Sequence, residues 1–278
     1  MSILGTRVLR TEDPKFLTTG GVYTEDVVDD RLTGAYHVFF VRSPVAHARI
    51  LAIDTSAARS APGVVAVFTG EDIDLPLIKP PPMMNQQMSR PILARDKVLY
   101  VGDPVAIVVT EQAYQGEDAV ELVDVDYDVL PAVVDLADAE ADKVLLYEEA
   151  GTNVATTFGD FSALDEHLFD DCEVVATRTI MNQRVAPAPM ETRAAAAVWD
   201  SERITAWIPN QGAQGTQGGL ARLLGLPIAQ VHIITPDVGG AFGAKFGADP
   251  EHGLVAWVAR RLDHPARWTE TRYENLIA

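Results

Sequence analysis

Two stretches combine residue types that can recognise a ligand without a charged side chain. Gly239-Gly-Ala-Phe-Gly-Ala-Lys245 lies between a short apolar run and an amphipathic one. Glycines there permit positive φ and let backbone N–H groups approach a phosphate or an oxyanion. The stretch is neither the dinucleotide-binding Gly-x-Gly-x-x-Gly pattern nor a Walker loop, because the spacings differ and no Ser or Thr follows Lys245. A tight structural turn accounts for the spacing equally well. The second stretch, Asn210-Gln-Gly-Ala-Gln-Gly-Thr-Gln217, is rich in side-chain amides, which donate and accept hydrogen bonds without charge. Its composition alone favours a flexible polar loop.

The other reactive side chains do not form a pattern. His37, His47, His167, His232, His252 and His264 are scattered, and no His-x-x-x-His pair occurs, so surface or core histidines are the default over a protein-ligated metal. The carboxylates are numerous, but no spacing singles out an acid/base pair; acidic runs are usually solvated faces. The single Cys172 lies between Asp171 and Glu173, whose charges disfavour its thiolate and hence a nucleophilic role. One cysteine also excludes an internal disulfide, a Cys-x-x-Cys metal site and an iron–sulfur cluster within the chain. Any redox chemistry must therefore use a borrowed cofactor.

Composition narrows the setting. The 278-residue chain carries 22 Lys+Arg against 40 Asp+Glu, a formal net charge of −18, and no Lys/Arg-rich run, so it lacks the electrostatic footprint of a nucleic-acid binder. With 47% hydrophobic residues it can build sizeable cores in one or two domains. No apolar run approaches the ~18 residues of a membrane span, and the first residues lack the apolar region of a signal peptide. The expected location is cytoplasmic.

These stretches need elements to position them, and the hydrophobic pattern supplies candidates. Residues 1–19 read as an extended arm that packs on something else. Residues 20–130 read as a first unit, with strands at 35–41, 49–53, 64–68 and 105–109, and an alternating strand at 123–129. A helix is expected over 111–122, and the proline-rich residues 74–95 predict a long loop. Residues 131–165 read as a solvated acidic linker holding the domain boundary. The second unit, 166–278, offers strands at 173–180, 193–199, 204–208, 231–234 and 266–272. Its helices are expected at 216–224, stopped by Gly225 and Pro227, and after Asp249, with Asp249 as N-cap and Pro250 at the first helical position.

Taken together, these segments resemble the molybdenum-binding large subunit of the xanthine dehydrogenase, aldehyde oxidase and aerobic carbon monoxide dehydrogenase family. Arg10-Thr-Glu-Asp-Pro-Lys-Phe-Leu-Thr-Thr-Gly20 is similar to the amino-terminal arm of the carbon monoxide dehydrogenase-like branch. Phe40 to Ile50, Ala61 to Gly70 and Gly102 to Val109 resemble the family's α/β hammerhead domain. In the second unit Pro189-Met-Glu-Thr-Arg193, Gln211 followed after 13 residues by Gly225-Leu-Pro227, and Asp237 to Lys245 resemble the opening of its cofactor-binding region. The resemblance implies an α+β fold: an α/β hammerhead domain followed by the opening part of a molybdopterin-binding domain.

It also implies hydroxylation of a small-molecule substrate at a molybdenum–pterin cofactor, with water as the oxygen source and electrons leaving through an iron–sulfur subunit and an FAD subunit. The pterin dithiolene holds the metal in this family, so no ligating side chains are required. By resemblance Gln211 matches the glutamine that hydrogen-bonds a metal oxo group, and Gly240, Ala241, Phe242 and Gly243 match the loop that approaches the metal from the other side. Ala241 stands where the family usually has a third Gly. Phe246 replaces the substrate-binding Glu of purine-hydroxylating members, which argues against a purine substrate. The family's large subunit continues for several hundred residues that carry its general-base Glu and further cofactor contacts. The expectation is therefore a naturally split or truncated subunit, inactive until a second polypeptide supplies the carboxy-terminal half. A truncated paralogue that binds partner subunits without turnover is the alternative.

Overall fold

The computed structural model describes residues 4–5, 7–159, 165 and 167–277. In chain order the elements are α1 (Asp13–Thr18), β1 (Tyr36–Arg42), β2 (Ala48–Asp54), α2 (Ser56–Arg59), β3 (Val64–Thr69), β4 (Lys97–Val98), β5 (Pro104–Thr110), α3 (Gly116–Val120) and β6 (Asp124–Val129). They continue with α4 (Leu136–Glu140), β7 (Ala194–Trp199), β8 (Ile204–Trp207), α5 (Ala213–Leu224), β9 (Val231–Ile234), α6 (Pro250–Leu262), β10 (Ala266–Thr269) and α7 (Arg272–Ile277).

Seven strands form one mixed sheet in the order β3-β5-β1-β10-β7-β8-β9, and β4-β2-β6 form a second, three-stranded sheet. Strands from both ends of the sequence meet in the larger sheet, where β1 runs parallel to β10 with Tyr36 opposite Ala266. The fully buried run of β5 marks it as a central strand, flanked antiparallel by β3 and β1. β6 keeps the alternation of a half-exposed strand and, among the described residues, pairs only with β2.

One core joins the two ends of the chain. Val38, Phe40, Ile107 and Val109 from the first half pack in the same cluster as Ala195, Ala197, Leu254, Val255 and Val258 from the second. The alanines of β7 leave room for α6 to lie close across the sheet. At Gly253 a Cβ would come within 3.1 Å of the Leu223 Cβ, so this glycine sets the close approach of α6 to α5. Asp249 forms a capping box with His252, and Gly225 ends α5 in the left-handed conformation, as their residue types predict.

Several expectations are corrected. The strand expected over 173–180 does not form: residues 173–189 take no regular structure, with Val174, Ile180 and Val185 exposed by 81, 87 and 85%. β-prone residues make a strand only when a neighbour supplies ladder hydrogen bonds, and no described segment does so here. The helix expected over 111–122 shrinks to α3, because Gln112 and Gln115 cap a 3-10 turn first. α5 starts three residues earlier than its apolar period suggests, and the last expected strand ends at Thr269 before turning into α7.

The arm contains the short helix α1, and it does pack on something else. Lys15 pairs with Asp237, whose carboxylate also accepts the Val22 N–H at 2.8 Å. The 131–165 stretch is largely exposed but internally tied, with Asn153 bonded to Ala139, Val144 and Leu146. Residues 160–164 and the expected boundary at Glu166 lie outside the described residues.

Candidate functional site

Gln211 stands in the turn between β8 and α5, and its neighbour Asn210 explains why that turn is rigid. The buried Asn210 amide donates to Ile208 O at 2.8 Å and to Thr235 Oγ1 at 2.7 Å, while its Oδ1 accepts the Gly212 N–H at 2.9 Å. One side chain thereby fixes the backbone on both sides of Gln211, so the expectation of a flexible loop is corrected. The Gln211 N–H donates to Lys245 O at 2.9 Å. Its side-chain Oε1 accepts the Gly243 N–H at 3.0 Å, and Nε2 has no protein partner among the described residues.

The structure thus brings Gln211 together with Gly240, Ala241, Phe242 and Gly243. Gly240 and Gly243 take φ of +99° and +95°, which only glycine adopts readily, and Phe242 between them is also left-handed at +52°. Ala241 is buried beneath the loop, whereas Phe242 is 77% exposed at its tip. Cβ atoms built on Gly212, Gly215 or Gly243 would meet nothing within 4 Å, so an open, side-chain-free face lies beside the Gln211 amide. α5 starts at this face without a side-chain cap, and the N–H groups of its first turn favour electronegative atoms.

Two groups that the sequence did not single out anchor the loop. Lys245 is 1% exposed, and its Nζ donates to Glu191 Oε2 at 2.7 Å. Burial pushes the Lys245 amine below its ordinary pKa, while Glu191 acts in the opposite direction. Glu191 lies within the Pro189–Arg193 string, and the signal for the pair would have been that a buried lysine requires a carboxylate.

Behind Glu191, Arg193 donates from Nε to Glu270 Oε1 at 2.8 Å and from Nη1 to Glu251 Oε2 at 3.2 Å. Arg42 reaches the other oxygen of Glu251 at 3.0 Å and Glu274 at 2.7 Å. Burial opposes the Glu251 charge, but Arg193 and Arg42 outweigh it and hold the carboxyl down to about 2. This buried network supports the segment that presents Glu191.

The remaining candidates stay apart. Among the described residues no three His, Cys, Asp or Glu side chains gather to hold a metal, and Cys172 is exposed. Phe246, beyond the loop, is 81% exposed.

Comparison with known proteins gives the family. Residues 18–131 match the aldehyde oxidase and xanthine dehydrogenase a/b hammerhead domain, and residues 146–278 match the molybdopterin cofactor-binding domain. The chain belongs to the molybdenum hydroxylase large-subunit family. Within this xanthine dehydrogenase, aldehyde oxidase and carbon monoxide dehydrogenase group, it is 37% identical over 287 residues to the nicotine 6-hydroxylase large subunit of Paenarthrobacter nicotinovorans, spanning 100% of this chain and 34% of that protein. It is 36% identical to the carbon monoxide dehydrogenase large chain of Afipia carboxidovorans, spanning 98% of this chain and 35% of that one. The crystal structure of quinoline 2-oxidoreductase from Pseudomonas putida 86 superposes with a TM-score of 0.85 at 33% identity, covering 99% of this chain and 35% of that one. The chain thus spans about a third of the length of these relatives.

The residues present fit the cofactor that this family implies. A molybdenum–pterin group needs no ligand set from the protein when the dithiolene holds the metal. Gln211 Nε2, a neutral donor, and the Cβ-free face at Gly212 and Gly243 are both open, so nothing on this face obstructs such a group.

Proposed function

We propose that this chain forms one wall of the molybdenum–pterin site of a hydroxylase that takes its oxygen from water. The free Nε2 of Gln211, held beside the Gly240–Gly243 segment by the bond from Gly243, is the observation that carries the reading. When bound, the molybdenum–pterin group supplies the two-electron oxidation of the substrate.

The protein's contribution is electrostatic and positional. Gln211 uses Oε1 to hold the loop, which leaves Nε2 oriented as a donor toward the open face without adding charge there. The Gly243 backbone lets the group come close where a side chain would intervene, and the α5 N-terminus favours its oxygen atoms. Phe242 stands exposed at the tip of this wall, where an apolar surface excludes water from a closed site. Phe246 offers no carboxylate to a purine, which favours a substrate without that requirement.

The opposite wall and the general base belong to a segment equivalent to the rest of the relatives' large subunit, of which this chain spans about a third. Electrons pass to iron–sulfur and FAD subunits in a cytoplasmic complex. The relatives carry names of large subunits or chains and of a complex subunit gamma, in keeping with a multi-subunit assembly. No helix among the described residues is long and apolar enough to cross a membrane.

The test is purification of the native complex followed by metal analysis and intact-subunit mass spectrometry. One molybdenum per copy of this chain, with a pterin and the partner subunits, is expected. A stable native complex free of molybdenum would overturn the reading in favour of a non-catalytic binding module.

A further inference from the structure

Glu191 touches the candidate loop at both of its ends. Its Oε2 accepts the Gly239 N–H at 2.8 Å and the Lys245 Nζ at 2.7 Å, and its own N–H donates to Gly239 O at 3.1 Å. The approach is as close as the backbone allows, since a Cβ at Gly239 would come within 2.6 Å of the Glu191 Cβ. Lys245 carries the constraint onward, because its carbonyl accepts the Gln211 N–H at 2.9 Å, and Gln211 Oε1 in turn accepts the Gly243 N–H at 3.0 Å. A single part-buried carboxylate is therefore linked through one lysine to the amide that faces the open surface.

We propose that Glu191 is a positioning residue: by clasping Gly239 and Lys245 it sets the loop's curvature and, through the Lys245 backbone, the place of Gln211 and the Gly243 N–H. Three observations favour this over a merely local salt bridge. The Lys245 ammonium is almost fully buried, so without Glu191 it would be left as an unpaired charge, and the loop would have to move to rehydrate it. The loop contains three consecutive positive-φ or buried positions, Gly240, Ala241 and Phe242, which persist only if both ends are held. Arg193, two residues on from Glu191, is fixed by the buried carboxylates of Glu251 and Glu270, which anchors the backbone segment that carries Glu191. The assignment rests on the cofactor reading only for what lies on the open face.

The experiment reads backbone amide hydrogen exchange by NMR in the full chain. Glu191→Gln keeps an oxygen for the Gly239 N–H but removes the charge facing Lys245. The Gly243 amide, which Glu191 does not touch, should then exchange at least ~10-fold faster, while amides of the β7–β8 ladder such as Ala197 and Ala206 keep their protection. Lys245→Met removes the same bond from the other side and should accelerate Gly243 to a similar extent. The double variant should add little beyond either single change, because both break one linkage. If Glu191→Gln does not fold, Lys245→Met reads the same amide.

Wild-type exchange at Gly243 in a folded variant, acceleration no greater than in the β7–β8 ladder, or additive effects of the two changes would each overturn the proposal. Molybdenum content of the native complex tests the cofactor reading separately. A molybdenum-free complex with accelerated Gly243 exchange would remove that reading and leave the positioning role, and the converse result would do the reverse.

Discussion

Arg42 and Glu251 lie 209 residues apart in sequence and are joined by a buried hydrogen-bonded ion pair of 3.0 Å. Arg42 ends β1 and Glu251 lies in the first turn of α6, so the pair crosses the line where strands from the two halves of the chain share a sheet. With Arg193 on the other side, Glu251 is enclosed between two guanidinium groups. Removing Glu251 would leave each guanidinium with one other carboxylate, Glu274 for Arg42 and Glu270 for Arg193, so the loss should fall below the roughly 3–5 kcal/mol typical of an orphaned buried charge.

This pair gives a pH prediction. The folded Glu251 carboxyl is lowered from 4.5 to about 2, so its stabilisation is fully present above about pH 4.5 and is lost as the pH falls toward 2. Glu251→Gln should lower stability at neutral pH and flatten the loss of stability between those two values, as read by urea unfolding at each pH. Asp249 works in the opposite sense, since burial raises its pKa, and because the Glu251 charge adds to that rise, Glu251→Gln should ease it as well. An acid dependence as steep in Glu251→Gln as in the wild type would contradict the assignment.

Gln211→Ala in the assembled enzyme should lower turnover by roughly 10²-fold with molybdenum retained, the scale of losing one preorganised donor. A substitution in a polar surface loop usually shifts stability by less than about 0.5 kcal/mol, so folding should be nearly unchanged apart from the lost Gly243 bond. Wild-type turnover at full molybdenum content would reject the role of Nε2.

Phe242 holds a left-handed backbone with an exposed side chain. Phe242→Gly relieves the backbone cost but loosens the unfolded chain, so the net effect should lie between neutral and about 1 kcal/mol stabilising. Phe242→Val should instead destabilise by about 1–2 kcal/mol, because a β-branched residue tolerates this region poorly. Equal losses in the two variants would show that side-chain packing, not backbone conformation, governs the position.

Residues 173–189 present apolar side chains with no described partner. Limited trypsin digestion of the chain alone should cut first at Arg178 and Arg184, and assembly with the rest of the large subunit should protect both. Ile180→Asp should leave the chain's own stability within about 0.5 kcal/mol while weakening that assembly. Equal protection of these sites with and without the partner would contradict an interface role.

The local elements were legible because their signals are local. The fully apolar run of β5, the alternation of β6, the Asp249-Pro250 start of α6 and the Gly225 stop of α5 each reflect the backbone geometry and burial of a few neighbouring residues. The candidate site was legible as two strings, Gln211 and Gly239 to Lys245, through family resemblance and not through spacing. Residues 173–180 show the limit of such reading, since strand-forming composition cannot create a neighbouring strand.

The sequence by itself determined which segments could be strands or helices, that any redox group must be borrowed, and which residue types could face it. Only the tertiary structure decided that β1 pairs with β10, that Gly243 bonds to Gln211, and that Glu191 holds Lys245. Propensity and hydrophobic period act over a few residues, whereas these contacts join segments 32 to 230 residues apart. Their partners are chosen by the packing of one shared core, where each buried charge or amide takes the complementary group that the fold brings within reach.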